Sequence, residues 1–196
     1  MLSRDSPIPL IFRPLPNVFT FVMLILCLYK PSTNNLYDLI FLNLAIILNS
    51  GLLKPLNKLL YKKLNRKKLP ILGIGTRPFG AHSCSGLVKL RSKPESSYGM
   101  PSGHSYFAWL IASYLITQIW FDNDDSEHDE TEITRHNASK IVRTLLLLLF
   151  AFTMSWLRVN VEGCHTVQQV IIGGLFGIGI GISGVFIKKK IMEHIN

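Results

Sequence analysis

A chain that crosses a bilayer has few folds open to it. Backbone polar groups in lipid must bond within helices or within a closed barrel. This sequence carries apolar runs over residues 17–29, 36–53, 105–121, 144–157 and 166–187, separated by strongly charged stretches. Runs of this kind approach the roughly 20 apolar residues that a spanning helix needs. With 48% hydrophobic residues and a formal charge of +9, the 196-residue chain is too apolar for a typical soluble domain and too charged for spans alone. Its mean hydropathy is +0.29. These features predict an all-α, polytopic membrane helix bundle with about five (four to six) transmembrane helices. Residues 1–196 are expected to form a single integral-membrane domain.

Residues 1–16 hold four prolines and two arginines and read as an irregular leading segment. The run 17–29 falls short of a span unless it borrows residues 8–12 or inserts only partway. It lacks a small-residue cleavage pattern behind it, so a cleavable signal peptide is not expected. The second run is interrupted by Asp38, Asn43 and Asn49. A basic loop, 54–100, follows and opens with Lys54, Lys58, Lys62, Lys63, Arg66, Lys67 and Lys68. Cations beside a span read as an interfacial helix on anionic headgroups. Nucleic acid is not expected as a partner, because this run lacks interleaved aromatics beyond Tyr61. Residues 70–93 are rich in Gly, Pro and Ser and read as loop. A second, acidic loop covers 122–143. In the last run, Gly173, Gly177 and Gly181 have the spacing that lets helix backbones approach closely, by default within the chain. Cys27, Cys84 and Cys164 form no metal motif.

The stretch Gly99-Met100-Pro101-Ser102-Gly103-His104-Ser105 stands at the mouth of the run 105–121. Ser102 offers a hydroxyl, and Gly103 lets backbone approach a ligand. The free N–H groups of the first helical turn form an anion site. His104 can give or take a proton near neutral pH. If the spans are antiparallel neighbours, the second ends near Lys54 and the third begins near Ser105. The fourth then ends near Arg158 and the fifth begins near Thr166, so all four ends share one membrane surface. That surface collects Arg77, the turn 101–104, Arg158 and His165. Cations and N–H groups there can bind a phosphate and stabilise its oxygens. One His can attack phosphorus while the other protonates the leaving oxygen. No carboxylate cluster points to a metal, so neither a metal nor another cofactor is expected.

Arg77-Pro78, then Pro101-Ser102-Gly103-His104, then Ser155, Arg158 and His165 resemble the three-part signature of the type 2 phosphatidic acid phosphatase superfamily. Lipid phosphate phosphatases, polyprenyl and dolichyl diphosphate phosphatases, glucose-6-phosphatase and vanadium haloperoxidases belong to it. The resemblance covers about residues 53–177. It implies an integral-membrane lipid phosphatase that works through a phosphohistidine without metal. By this resemblance His165 is the nucleophile, and His104 protonates the leaving group and then activates water. Arg77, Ser102, Gly103, Arg158 and either Lys54 or Lys68 cradle the phosphate. The implied partners are the bilayer of the endoplasmic reticulum or another cellular membrane, and a lipid phosphate or diphosphate. The oligomeric state is not read from the sequence.

The chain departs from the family pattern at three places. The first motif has six residues between a Lys and Arg-Pro, and here the Lys position is Pro70. Lys54, at a helix end with an insertion after it, is the preferred substitute, with Lys68 second. The third motif has five residues between Arg and His, whereas six separate Arg158 from His165. One extra residue can be absorbed in a loop, whereas within a helix it would rotate Arg158 by about 100°. The Asp that orients the nucleophilic His is replaced by Gln169. A Gln carbonyl can accept the imidazole N–H and set its tautomer, but brings no charge. Gln at this place resembles the dolichyl diphosphate phosphatase branch, which ranks a dolichyl or polyprenyl diphosphate ahead of phosphatidic acid. Glu162 reads as a solvated loop residue or, less commonly, a substitute carboxylate. The alternative function is a catalytically degenerate relative that binds anionic lipid without hydrolysis.

Of the 21 Lys and Arg, 14 fall on the site side, which the positive-inside rule makes cytoplasmic. The Asn137-Ala138-Ser139 sequon on the other side agrees with that placement. The resemblance implies the opposite, a lumenal or outer site. Cys84 and Cys164 would then share an oxidising side, where they could pair.

Overall fold

The computed structural model describes residues 14–63, 73, 75–78, 81, 98–121 and 130–195. The leading segment 1–13, most of the loop after residue 63, with Lys68 and Cys84, and the acidic residues 122–129 lie outside this set. The regular elements among the described residues are helical: α1 (Leu15–Tyr29), α2 (Thr33–Leu48), a π-helical turn (Asn49–Leu53) and α3 (Lys54–Lys63). They continue with α4 (Gly103–Phe121), α5 (Glu130–Trp156), a second π-helical turn (Leu157–Val161) and α6 (Val167–Ile195).

Among the described residues three helices are long and apolar enough to cross a membrane: Thr33–Lys63, Arg135–Val161 and Val167–Ile195. A shorter apolar helix, Val18–Tyr29, joins them. Of the five apolar runs read from the sequence, 36–53, 144–157 and 166–187 lie in these three helices. The run 105–121 lies in α4. Its residues Ser105, Tyr106, Ala108, Leu110, Ala112 and Tyr114 are all buried, so protein rather than lipid surrounds it. A helix enclosed this way tolerates polar residues such as Ser113 and Thr117 facing its neighbours. The outer face of the bundle is apolar, with Leu145, Leu149, Phe152 and Leu175 about three-fifths exposed.

Lys54–Lys63 is helical, as its reading as an interfacial helix expects, and continues the second span as α3. One region read as loop is helical too. Residues 130–143 extend α5 toward its N-terminus. No Gly or Pro occurs between residues 122 and 162, so nothing in the backbone stops the leucine-rich helix from growing into its polar flank. The π turn before α3 has a local cause as well. Pro55 has no N–H and its ring would clash with the carbonyl of Gly51 in a regular α-helix. The π turn relieves this, and the Lys54 N–H bonds to Asn49 O instead.

The core is the seam between α4 and α6. A Cβ on Gly173 would fall 2.6 Å from Ser102 O, and one on Gly181 would fall 2.7 Å from Leu110 O. The glycines therefore serve close packing within one chain. α2 closes the other side of α4, where Leu42 and Ala45 pack on Tyr106, Phe107 and Leu110. At the end of the bundle away from Ser102, Lys188 Nζ lies 2.7 Å from Asp38 Oδ1. Tyr114 also donates to Asp38, and Tyr37 Oη donates to Gly184 O at 2.9 Å.

The seam makes a paired prediction. A Cβ on Gly177 would fall 2.9 Å from Leu110 N, whereas one on Gly179 meets nothing within 4 Å. Gly177→Val is expected to cost about 3 kcal/mol, as overpacking does, and Gly179→Val close to nothing. Thermal unfolding in detergent checks this, and equal losses would contradict the seam.

Candidate active site

Three segments meet where α4 and α6 begin, and hydrogen bonds join them. Ser102 N–H donates to Gln169 O at 3.0 Å, and Ser105 Oγ donates to Val170 O at 2.8 Å. These bonds hang the Pro101–His104 turn on the first turn of α6. The Arg77 segment is held against the same turn by Gly99 N–H to Gly75 O, 2.9 Å, and by an antiparallel bridge between Thr76 and Tyr98. Behind it Tyr61 of α3, fully buried, donates to Gly73 O at 3.2 Å. At Gly99 there is no room for a side chain: a Cβ would lie 2.6 Å from Gln169 Oε1 and 3.0 Å from Arg77 Cγ.

Arg158 and His165 come from the second π turn and the loop after it. Glu162 N–H bonds to Leu157 O, five residues back, at 2.9 Å. This wider turn takes up one residue without breaking the helix. The six-residue spacing between Arg158 and His165 is thus absorbed locally rather than by rotating the helix. Gly163, at φ +60°, then reverses the chain. Cys164 N–H returns to Arg158 O at 3.0 Å, which places His165 beside α6.

His165 is 6% exposed and Gln169 is fully buried. Gln169 Nε2 donates to Thr76 O at 2.8 Å. A carbonyl can only accept, so the amide must present its oxygen to the imidazole. Gln169 Oε1 lies 3.1 Å from His165 Nδ1 and also accepts from Thr166 N–H at 3.4 Å. Facing an acceptor, Nδ1 carries the proton, and Nε2 keeps its lone pair. Burial pushes the imidazole down to about 3; Arg77, Arg158 and Lys54 push the same way, against the Gln169 hydrogen bond. The ring is neutral at neutral pH.

Arg158 is the largest fully buried side chain and ion-pairs with Glu162. Glu162 is itself buried, which corrects the solvated-loop reading. It is paired with Arg158 one helical turn away, and Gln169 fills the place beside His165. Burial also pushes the Arg77 guanidinium below its usual value, and Glu162 opposes this. Lys54 reaches the site, since a Cβ on Gly103 would lie 3.1 Å from its Nζ. His104 stands partly buried on the first turn of α4. Ser102 is fully buried, and its Oγ has no hydrogen-bond partner. Lys68 lies outside the described residues.

The structure thus brings Lys54, Arg77, Ser102, Gly103, Arg158, His165 and Gln169 to one end of the bundle. Sequence reasoning undervalued Glu162, whose signal was its position four residues after Arg158. It passed over Thr76, which acts through its backbone carbonyl and leaves no trace in residue type. No group of three or more His, Cys, Asp or Glu side chains stands together among the described residues.

Residues 68–192 match the model of the PAP2 superfamily. The chain is also 31% identical over 99 residues to Dolichyldiphosphatase 1 of Mus musculus, covering 50% of this chain and 39% of that protein. It therefore matches well under half of that curated relative's length. No solved structure gives a significant match.

The neutral, buried His165 sets a pH dependence. Its folded-state value lies below the 6.5 of an exposed imidazole, so the unfolded chain takes up this proton first as pH falls. Stability is full above about 6.5 and declines toward about 3, by up to about 1.4 kcal/mol per pH unit. Unfolding midpoints in detergent should drop as the buffer is acidified from neutral, and His165→Gln should flatten the drop. An unchanged slope in that variant would remove His165 as its source.

Proposed function

The chain belongs to the PAP2 superfamily, and on that premise we propose that it is an integral-membrane lipid phosphatase acting on a lipid phosphate or diphosphate through a phosphohistidine. The observation that carries this reading is the chain of bonds from Thr76 O through Gln169 to His165, which leaves the Nε2 lone pair free on a ring near enough to Arg77, Arg158 and Lys54 to feel their charge. In the first step Nε2 attacks phosphorus, the bond from phosphorus to the leaving oxygen breaks, and His104 gives that oxygen its proton. In the second, water attacks the phosphohistidine and His104 takes a proton from it. The P–N bond breaks, phosphate leaves and the Nε2 lone pair is restored. The cations, Ser102 and the Gly103 N–H stabilise the phosphoryl oxygens in both steps, so the reaction requires no metal.

The preferred substrate is a dolichyl or polyprenyl diphosphate, with phosphatidic acid second. Gln169 in place of Asp and the name of the mouse relative support that order. So does an apolar groove of about 540 Å³ on α2, lined by Phe41, Leu44, Leu48, Gly51 and Leu52 with Ile180 of α6, which suits a single long hydrocarbon tail. In this reading α4 also crosses the membrane inside its ring of helices, and α1 completes a bundle of five in the endoplasmic reticulum or another cellular membrane. The motifs over residues 53–177 work as one integral-membrane domain. The second reading, anionic-lipid binding without turnover, is favoured by one feature: Arg158 is already engaged by Glu162.

The site faces an oxidising compartment in this proposal. Cys164, next to the nucleophile, is disulfide-bonded, while Cys27 is free and Cys84 lies outside the described residues. Disulfides persist in lumenal and extracellular settings, and this outweighs the lysine and arginine count.

Two measurements test these proposals. Purified protein should release phosphate from dolichyl diphosphate in EDTA, and His165→Ala should lower the rate at least about 10³-fold. No release by folded protein would favour the binding reading. In sealed microsomes Cys164 should resist an impermeant maleimide until the membrane is permeabilised and the disulfide reduced. Labelling of intact, unreduced microsomes would place the site in the cytosol.

A further inference from the structure

Asn49 is a buried amide with no role in the chemistry above. It is 5% exposed and opens the first π turn. Its Oδ1 has no hydrogen-bond partner, a property it shares with Ser102 Oγ. Buried polar atoms are rarely left unmatched, and an orphaned pair at one site points to a ligand that would satisfy both. The Asn49 amide lies beside the turn that carries Ser102. A Cβ on Gly103, the neighbour of Ser102, would fall 3.3 Å from Asn49 Nδ2 and 3.1 Å from Lys54 Nζ. The π turn is what brings the amide there. Lys54, which closes the turn, and Asn49, which opens it, both reach Gly103.

The chemistry of the two orphans differs. Lys54, Arg77, Arg158 and the Ser102 hydroxyl can all donate to a phosphoryl oxygen. Asn49 Oδ1 can only accept. A fully ionised phosphoryl group has nothing to give it, whereas a P–O–H group does. We propose that Asn49 contacts the bound phosphate and accepts a hydrogen bond from a protonated phosphoryl oxygen, so that the site selects a phosphate carrying a P–O–H. Ser102 Oγ donates to a neighbouring unprotonated oxygen, and one ligand then satisfies both orphans. The inference rests on the reading of this end of the bundle as a phosphatase site, and it goes further by assigning Asn49 and the protonation form of the ligand.

Sulfate and hydrogen phosphate test it without turnover. In mildly alkaline buffer both are tetrahedral dianions, and only the phosphate carries a hydroxyl. Binding to the full chain in detergent, read as the concentration dependence of the unfolding midpoint, should favour phosphate over sulfate by at least about tenfold, the scale of one hydrogen bond to a charged group. Asn49→Leu should bring the ratio near one, and Asn49→Asp, which keeps an acceptor, should preserve it while weakening both anions. A wild-type ratio near one overturns the proposal without any variant and leaves the phosphatase reading standing. A ratio that survives in folded Asn49→Leu also overturns it. Failure of both anions to bind the wild type overturns the proposal together with the reading on which it rests.

Discussion

The Gln169 side chain has a donor end and an acceptor end, and the site depends on which way round they lie. A carboxylate in the same place would accept from the imidazole whichever oxygen faced it, and would draw the ring toward its charged form. The amide does neither. It needs a partner behind it to fix its orientation, and Thr76 O supplies one at 2.8 Å. The Arg77 segment thereby becomes part of the support of His165 as well as a source of positive charge. Ser102 N–H bonded to Gln169 O, and Gly99 N–H bonded to Gly75 O, close the loop of dependence. Displacing the Arg77 segment would leave the Gln169 amide without the partner that fixes its orientation.

The π turns are the second device on which the geometry rests. Each sits at the site end of a long helix, and each carries site residues: Asn49 and Lys54 at the first, Arg158 at the second. A π turn lets a helix hold one more residue per turn without ending. A side chain can then be aimed across the bundle axis while the rest of the helix keeps its apolar face toward lipid. The local costs are visible in Pro55 after the first and in Gly163 after the second, where a regular helix could not continue unchanged.

Much of this was legible in the sequence. The Pro101–His104 turn, Arg77, Arg158 and His165 converge as the antiparallel arrangement of spans requires, and the Gly173–Gly181 spacing marks the closest helix contact. Other features were hidden for physical reasons. The run 105–121 reads as a span, but its enclosure by the other helices does not show in residue type. The extra residue before His165 looked like a loss of register, since a π turn has no residue-type signature apart from its neighbours. Glu162 looked solvated because a carboxylate after a helix usually is, and its pairing with the buried Arg158 accounts for its burial. Thr76 contributes a carbonyl, which every residue has.

The contacts between α2 and α6 are unevenly distributed along their length. Asp38 with Lys188, and Tyr37 with Gly184, join them at the end away from the phosphate cradle. Toward the cradle the apolar groove replaces direct contact. α2 and α6 are thus tied by polar bonds at one end and separated by a groove toward the other. α4 and α6 are not parted in this way, because their backbones touch along the glycine seam. The bundle therefore has one loosely packed wall, on the side of α2.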